Sequence, residues 1–409
     1  MSSYHLPKSA VLLSTFFFLL IGGTTTSAQL GTIASVHQGF GATTPGGAGG
    51  RTVSVTNLND SGLGSLRDAL SQGNRNIAFL VRGTILLKSP LDVKGANITI
   101  SALNVPSPGI TIRNYGLRIR GNRGAHDVIV AGLRIRDAKE DGIQIAWEAY
   151  NVLVTNVSVD NSGDGNIDIS HGAHDVTVAW SILGRTKENK NMLIKTTIHE
   201  VSHETNRITL HHNLFTKSAF RNPRISNFED GTPATDITTD MRNNLVWNWG
   251  AGAGTDVECG AVANLVNNFY ASPSSSAGNK QQAITVREED FQAGCGGLAY
   301  VAGNISGDGL SMQINAESTE PAPFIAPFVA TTDACTAARA VLAGAGVRPL
   351  DAIDVQHVSA ISLVCSGTSG TVGTGTGTTQ PIQPVSQSAP SNPPQPSSNL
   401  WWLGLSSQR

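Results

Sequence analysis

The stretch that decides the fold lies between residues 128 and 178 and contains three β-branched runs in one register: Val128-Ile129-Val130, Val152-Leu153-Val154 and Val176-Thr177-Val178. Each run begins 24 residues after the previous one. Two further series keep this period: Leu133-Arg134-Ile135 with Val157-Ser158-Val159 and Ser181-Ile182, and Ile143-Gln144-Ile145 with Ile167-Asp168-Ile169. Three short strands per repeat at a fixed period are what a three-faced parallel β-solenoid requires. We therefore predict an all-β fold, a single-stranded parallel β-helix.

The sequence also supplies the turns and the end cap that such a solenoid needs. The pairs His212-Asn213, Asn243-Asn244 and Asn267-Asn268 each lie between two apolar runs. Asparagine at repeated bends can bond to the turn and to the next coil, which predicts a ladder of side chains. The segment from Ser65 to Leu70 predicts a short N-terminal capping helix with Ser65 as its N-cap. Such a cap would cover the first coil and prevent edge pairing.

Composition agrees with this fold and excludes some partners. Among 409 residues, Lys plus Arg number 28 and Asp plus Glu 30, for a formal net charge of −2. That balance gives no electrostatic basis for binding nucleic acid. Charged residues make up only 14 % and Gly numbers 44, which favours strands with many tight turns. The 40 % of apolar residues can fill a sizeable core.

The chain divides into three parts. Residues 1–28 have Lys8, an apolar stretch over 10–21 and a small-residue end at Ala28, the layout of a cleaved signal peptide. The alternative, a membrane anchor, needs about 20 apolar residues, and no later segment is long enough either. We predict a secreted, extracellular protein without a membrane span, a β-helix domain over 29–365, and a disordered Gly/Thr/Ser/Pro tail over 366–409.

The cysteines fit an exported protein. All four lie in the second half of the chain, and they can pair as two disulfides in three ways that the sequence leaves open: Cys259, Cys295, Cys335 and Cys365. Their spacing does not suggest zinc. We expect a monomer.

Charged residues recur at one position of successive repeats. Asp141, Asp164, Lys190 and Arg221 lie 12 to 14 residues after the first strand residue of their own coils. Successive coils are about 4.8 Å apart, so these side chains should form a column. Asp168 should join them, since its two isoleucine neighbours point inward. Polar loops could place single charges there by chance, but a whole column is harder to explain in a chain with 14 % charged residues.

The order of charges indicates a chemistry. Three carboxylates within two coils form an oxygen-rich site suited to Ca²⁺, with no His or Cys to favour a transition metal. The two cations follow at the other end of the column. A metal beside two cations suits a polyanion, and a uronate polymer fits because its sugar carboxylate can bridge the metal and a cation.

Several motifs, taken in order, resemble those of the pectate lyase/pectin lyase superfamily. Its members, like the enzymes of polysaccharide lyase family 1, fold as right-handed parallel β-helices. The resemblance runs from about residue 39 to residue 363. It is carried by these stretches: residues 55–67, Asp164-Gly165-Asn166-Ile167-Asp168-Ile169, residues 176–180, Met192-Leu193-Ile194, Leu210-His211-His212-Asn213, Arg221-Asn222-Pro223-Arg224, and residues 341–354. The most specific of them is Arg221-Asn222-Pro223-Arg224.

The resemblance implies a secreted, Ca²⁺-dependent pectate lyase that cleaves α-1,4-linked polygalacturonate by β-elimination. It implies Arg221 as the base that removes the C5 proton, and Lys190 and Arg224 as substrate-binding residues. It also implies three Ca²⁺ ligands: Asp141, Asp164 and Asp168. Two positions depart from the family pattern. Ser226 stands where a further substrate-binding Arg is usual, and Lys195 stands where Gly is common.

Two other functions compete with this one. A catalytically silent β-helix that binds polysaccharide, or an adhesin, is supported by Ser226. A glycoside hydrolase on the same scaffold would need two or three carboxylates without the pair of Lys190 and Arg221.

Overall fold

The structure is a computed structural model that describes residues 37–196, 201–228, 231–250, 252–272, 282–287, 296–307, 311–314 and 318–365. The predicted signal peptide at 1–28 and tail at 366–409 lie outside these residues, so both stay predictions. In the described part of the chain, no helix has the length and apolar character needed to cross a bilayer.

Three parallel sheets form the faces of a β-helix. Sheet A contains β1 (Arg51–Val55), β2 (Arg75–Phe79), β5 (Ile98–Ser101), β8 (Val128–Ala131), β11 (Tyr150–Thr155), β14 (His174–Ala179), β17 (Asn206–His211), β20 (Thr239–Arg242), β23 (Val262–Val266) and β26 (Leu298–Ala302). Sheet B contains β3 (Gly83–Leu86), β6 (Ile110–Arg113), β9 (Leu133–Arg136), β12 (Ser158–Asp160), β15 (Ile182–Leu183), β18 (Leu214–Thr216), β21 (Leu245–Trp247), β24 (Phe269–Ala271) and β27 (Ile305–Ser306). Sheet C contains β4 (Leu91–Val93), β7 (Leu117–Arg120), β10 (Ile143–Ala146), β13 (Ile167–Ser170), β16 (Leu193–Lys195), β19 (Arg224–Ser226), β22 (Ala253–Glu258), β25 (Gln282–Val286) and β28 (Ser311–Ile314). From β2 onward, each coil contributes one strand to A, then B, then C.

The predicted register is the observed one. Val152 pairs with Val128 on one side and with Val176 on the other. In sheet C, Ile143 pairs with Ile167. These pairs are parallel and 24 residues apart, so the period in the sequence is the length of a coil. The predicted fold class is confirmed.

The interior is a continuous apolar column. Inward residues of successive coils, such as Val128, Val152 and Val176, are fully buried and belong to one hydrophobic cluster that extends from Val55 to Ala299. Burying a Val or Ile side chain contributes about 1.5–3 kcal/mol. The fold is therefore stabilised by its interior, which leaves the outer faces and turns available for polar groups.

The predicted asparagine ladder forms at the turn between sheets A and B. The side-chain amide of Asn213 donates to Asn244, Asn244 to Asn268, and Asn268 to Asn304, each at 3.0 Å. These four side chains are fully buried. The sequence predicted the first three, and the structure adds Asn304.

The predicted capping helix is also present. Helix α1 (Leu66–Ala69) begins after Ser65, whose hydroxyl accepts a hydrogen bond from the Asp68 N–H at 3.2 Å. Leu66 and Leu70 are buried in the central hydrophobic cluster, so the helix closes the end of the core. Two short 3₁₀ helices lie at Phe40–Thr43 and Gly121–Arg123.

The C-terminal segment covers part of sheet B. It contains α2 (Ala334–Gly344) and α3 (Ala352–Ser359). Arg136, on the outer face of β9, donates to Asp351 at 3.0 Å and to Asp354 at 2.9 Å. A disulfide joins Cys335 and Cys365, which selects among the pairings left open by the sequence. Cys295 lies outside the described residues.

We predict that acid destabilises the fold through His211 and His212. Burial lowers the pKa of His211 to about 3, with a further contribution from His212, and lowers the pKa of His212 to about 4. Because an unfolded histidine titrates near pH 6.5, the unfolded state binds more protons below that pH. Each histidine should cost at most about 2 kcal/mol of unfolding free energy between pH 7 and pH 5.

Urea unfolding at pH 7 and pH 5 measures this effect. His211→Gln should be less stable than the wild type at pH 7 but should lose less stability on acidification. An equal loss in both proteins would assign the acid sensitivity to other groups.

Candidate active site

The predicted site residues meet at the edge where sheet B turns into sheet C. Asp141 precedes β10, Asp164 precedes β13, Lys190 precedes β16 and Arg221 precedes β19. Lys190 forms a parallel bridge with Phe220, the residue before Arg221. The turns of successive coils thus carry these groups side by side, as the register argument predicted.

Asp168 lies on β13 itself, between two inward isoleucines and in register with Gln144. Although it is on the outer face of sheet C, it is only 8 % exposed. One of its oxygens accepts a hydrogen bond from the Leu193 N–H at 3.0 Å. Gly165 lies so close that a Cβ there would come within 2.2 Å of the carboxylate.

Asp141 and Asp168 are shielded from solvent and lie near another acidic side chain, Asp164. Asp141 accepts hydrogen bonds from the Gly165 N–H and the Gln144 amide, each at 3.1 Å. Burial, with repulsion from Asp164, nevertheless raises the pKa of Asp141 to about 6. Burial, with repulsion from Asp141, raises the pKa of Asp168 well above its usual range. Both carboxylates would be more stable with a cation beside them.

Lys190 connects the acidic group to the next coil. Its ammonium lies 2.6 Å from a Glu188 oxygen and 3.7 Å from an Asp164 oxygen. The hydrogen bond to Glu188 raises the pKa of Lys190, so this side chain keeps its charge. The Asp164 oxygen that faces Lys190 is buried and has no hydrogen-bond partner. That oxygen therefore faces the Lys190 ammonium at a distance too long for a hydrogen bond.

Arg221 completes the line. Its backbone has φ 61°, in the left-handed region, and its carbonyl accepts a hydrogen bond from the Met192 N–H at 2.8 Å. Its positive charge acts to lower the pKa of Asp168, so the two side chains share one electrostatic environment. Within the described residues, the Arg221 guanidinium has no hydrogen bond or ion pair.

Arg224 is in a different situation, which the sequence analysis did not anticipate. Its guanidinium lies 2.7 Å and 3.0 Å from the two oxygens of Glu258. Glu258 also contacts Arg287 at 2.7 Å and accepts a hydrogen bond from the Ser226 hydroxyl at 3.1 Å. A carboxylate therefore already neutralises Arg224. The 34-residue separation between Arg224 and Glu258 hides this pair from a search for a 24-residue period.

The donor set fits Ca²⁺ in chemistry. Carboxylate oxygens are ligands that Ca²⁺ prefers. The ion takes six to eight oxygen ligands in all, which include carbonyls and waters as well as carboxylates. In the described residues, no group of three His, Cys, Asp or Glu side chains is arranged closely enough to hold a metal ion by itself. The raised pKa values of Asp141 and Asp168, and an Asp164 oxygen without a hydrogen-bond partner, nevertheless indicate three carboxylates whose mutual repulsion a divalent cation would relieve. Waters and substrate oxygens can complete the coordination shell of such a site.

Comparisons with known proteins identify relatives of one kind. The chain is 34 % identical over 261 residues to a probable pectate lyase C of Emericella nidulans, covering 62 % of this chain and 56 % of that protein. It is 34 % identical over 250 residues to a probable pectate lyase C of Aspergillus terreus, covering 58 % and 54 %. The chain therefore spans about half the length of these curated relatives. No protein-family model matches it.

Solved structures agree on the fold. A pectate lyase from a Bacillus species in complex with trigalacturonate has a TM-score of 0.57 at 21 % identity, covering 76 % of this chain and 98 % of that one. The cedar pollen major allergen jun a 1 has a TM-score of 0.60 at 19 % identity, covering 76 % and 92 %. The predicted resemblance to pectate lyases is confirmed. At these identities, the structural likeness shows the fold alone.

We predict that Asp168→Asn stabilises the metal-free protein and removes its stabilisation by Ca²⁺. The amide keeps the acceptor for the Leu193 N–H but removes a nearly buried charge. In EDTA at pH 8, the melting temperature should rise by a few degrees, corresponding to about 1 kcal/mol. Added Ca²⁺ should then raise it much less than in the wild type.

Asp92→Asn is the matched control. Asp92 lies in the same outward column of sheet C, three strands before Asp168, and is not among the three predicted ligands. It should leave the Ca²⁺ response unchanged. Equal responses of Asp168→Asn and the wild type to Ca²⁺ would show that Asp168 is not a ligand.

Proposed function

We propose that this protein is a secreted, calcium-dependent pectate lyase that cleaves α-1,4-linked polygalacturonate by β-elimination. The similarity to proteins named pectate lyase supports this reaction class. The trigalacturonate bound to a solved neighbour supports the substrate class. Secretion rests on the predicted signal peptide at 1–28.

The single observation that carries the proposal is the order of charges along the edge of sheet C. Three carboxylates come first, followed by Lys190 at 3.7 Å from Asp164, and then by Arg221. This order suits a uronate, because its carboxylate can lie between the acidic group and the cations while its ring lies over the next coil. A glycoside hydrolase would use paired carboxylates and has no need for Lys190 and Arg221.

The reaction removes the C5 proton of a uronate and then expels the oxygen on C4. A proton α to an ionised carboxylate is barely acidic, because its removal places a second negative charge on the same group. Lys190 would pair with that carboxylate and stabilise the developing charge. When bound by Asp141, Asp164 and Asp168, Ca²⁺ supplies the same neutralisation as a Lewis acid.

Arg221 would take the C5 proton. A guanidine is an unusual base, since an ordinary Arg stays protonated far above neutral pH. A rate optimum at alkaline pH is therefore expected, because the base must be neutral before it accepts a proton. The C5–H and C4–O bonds break, a C4=C5 double bond forms, and the departing oxygen takes up a proton. No water is consumed.

A second candidate function is polysaccharide binding without catalysis. The specific observation in its favour is that Ser226 donates to Glu258 at 3.1 Å, so this position offers no cation to a substrate. One solved neighbour is named as an allergen rather than as an enzyme. An assay on polygalacturonate distinguishes the two functions, because a binding protein would retain the polymer without forming an unsaturated product.

We predict that Ca²⁺ is needed for activity but not for folding. The hydrophobic column is independent of the acidic group on the outer face, so chelation should leave the far-UV spectrum unchanged and lower the melting temperature only by the part that Ca²⁺ binding contributes. Ultraviolet absorbance of the unsaturated uronide from polygalacturonate should rise with Ca²⁺ and stop with EDTA. Loss of structure on chelation would mean that the metal is structural. Binding without product in Ca²⁺ would favour the second function.

We predict that Arg221→Lys lowers kcat by at least about a thousandfold, a loss of about 4 kcal/mol in transition-state stabilisation. Lysine keeps the positive charge, but its shorter ammonium cannot reproduce the guanidinium geometry at C5. Fold and Ca²⁺ binding should survive, because the side chain lies outside the core.

Arg224→Lys is the matched comparison, three residues away in the same turn and strand. It should cost much less activity, because Arg224 is already paired with Glu258. Both variants are measured on polygalacturonate at saturating Ca²⁺ and alkaline pH. Near-normal turnover of Arg221→Lys together with an inactive Arg224→Lys would move the base to Arg224.

A further inference from the structure

A second line of buried asparagines runs along the edge between sheets B and C. The Asn166 amide donates to the Asn191 carbonyl oxygen at 3.0 Å, and the Asn191 amide donates to the Asn222 carbonyl oxygen at 2.9 Å. These side chains are at most 1 % exposed. The Ser162 hydroxyl begins the line by donating to Asn166 at 3.0 Å, and the Asn222 amide ends it at the Ser218 carbonyl, at 3.1 Å. We call these three asparagines the B–C ladder.

Each member of the B–C ladder lies within two residues of a proposed site residue in the chain. Asn191 directly follows Lys190, and Asn222 directly follows Arg221. Asn166 lies between the two carboxylates of its own coil, two residues from each. The asparagine side chains are buried in the interior, whereas the charged neighbours are partly exposed.

The backbone around the ladder is fixed by the same stacking. The Asn191 N–H donates to the Phe220 carbonyl at 3.1 Å, and the Met192 N–H donates to the Arg221 carbonyl at 2.8 Å. The Asn191 side chain also donates to the Leu183 carbonyl at 3.2 Å. Arg221 has a left-handed backbone, which L-residues with large side chains rarely adopt unless their surroundings impose it. The bonds from Asn191 and Met192 are part of those surroundings.

We propose that the B–C ladder is the device that positions Lys190 and Arg221 for the reaction. Holding Asn191 and Asn222 inward directs the preceding side chains, Lys190 and Arg221, outward and sets their height relative to the next coil. Asn191 is the central positioning residue, because it contacts both other members. The inference rests on the proposed function for its activity readout.

The molecule contains its own control. Asn244, in the ladder between sheets A and B, accepts from Asn213 at 3.0 Å and donates to Asn268 at 3.0 Å and to the Leu210 carbonyl at 2.9 Å. Asn191 makes the three corresponding bonds, and both side chains are fully buried. Asn244 also accepts from the Asn213 N–H at 2.9 Å and donates to the Arg242 carbonyl at 3.1 Å, so it is held at least as firmly as Asn191. Asn244 has none of the proposed site residues beside it in the chain. If the role of Asn191 were purely structural, its replacement would therefore lower kcat no more than replacement of Asn244.

The experiment compares Asn191→Ala with Asn244→Ala in the full chain. Both should lower the melting temperature by similar amounts. On polygalacturonate with saturating Ca²⁺, well below both melting temperatures, Asn191→Ala should lower kcat about 30-fold or more with little change in KM, since a misplacement of 1 Å can cost about a hundredfold. Asn244→Ala should stay within about threefold of the wild type, because distant sites act independently. Equal losses of kcat in the two variants would overturn the proposal.

Amide hydrogen exchange without substrate gives a readout that does not depend on activity. In Asn191→Ala, the N–H groups around Lys190 and Arg221 should lose protection, whereas in Asn244→Ala they should match the wild type. Unchanged exchange at these N–H groups in Asn191→Ala would overturn the proposal, whether or not the wild type is active. An inactive wild type would instead refute the lyase function. If the alanine variants do not fold, Asn191→Asp and Asn244→Asp, which keep the shape and lose the amide donor, replace them in both measurements.

Discussion

The structure depends on one constraint, the hydrogen bonding of each strand to the equivalent strand of the next coil. Parallel pairing fixes coils about 4.8 Å apart, so a residue's nearest neighbours are the residues at its own position one coil before and one coil after. Val128, Val152 and Val176 pack on one another for this reason. Apolar residues in such a column stabilise the fold, and amides in a column bond to each other.

Charges stacked by the same constraint behave differently. Asp141, Asp164 and Asp168 are placed on two successive coils, and repulsion adds to burial in raising two pKa values: Asp164 acts on Asp141, and Asp141 acts on Asp168. The apolar interior is large enough to tolerate this unfavourable arrangement on the outer face. A divalent cation turns the repulsion into a binding site. The acidic group is thus better explained by a ligand than by stability.

Most of the fold could be predicted from the sequence, because coils of equal length repeat their pattern at equal spacing. The three strand series, the ladder at Asn213, Asn244 and Asn268, and the cap at Ser65 all follow from local patterns. The B–C ladder was missed although its spacings of 25 and 31 residues are no less regular, because each of its asparagines follows a polar loop and does not lie between two apolar runs.

Long-range contacts escaped for a different reason. The bond between Arg136 and Asp354 joins residues 218 apart, and nothing in a periodic pattern indicates which charges of a covering segment will meet a given sheet. Positions of the candidate site could be predicted from the register to within a residue or two. Their pairing could not, because Glu188 lies in an irregular turn and Glu258 follows Arg224 by 34 residues instead of 24.

Pairing is nevertheless what separates the two arginines of Arg221-Asn222-Pro223-Arg224. Arg224 is held by Glu258, which Arg287 and Ser226 also contact, so moving it would break a group of partly buried bonds. Its charge is already balanced, and an added uronate would have to compete with a carboxylate at 2.7 Å. Within the described residues, Arg221 has no such partner, yet its backbone is held in an uncommon conformation. A fixed backbone with an unpaired side chain is the arrangement expected of a group that reacts, whereas a paired side chain is the arrangement expected of one that supports.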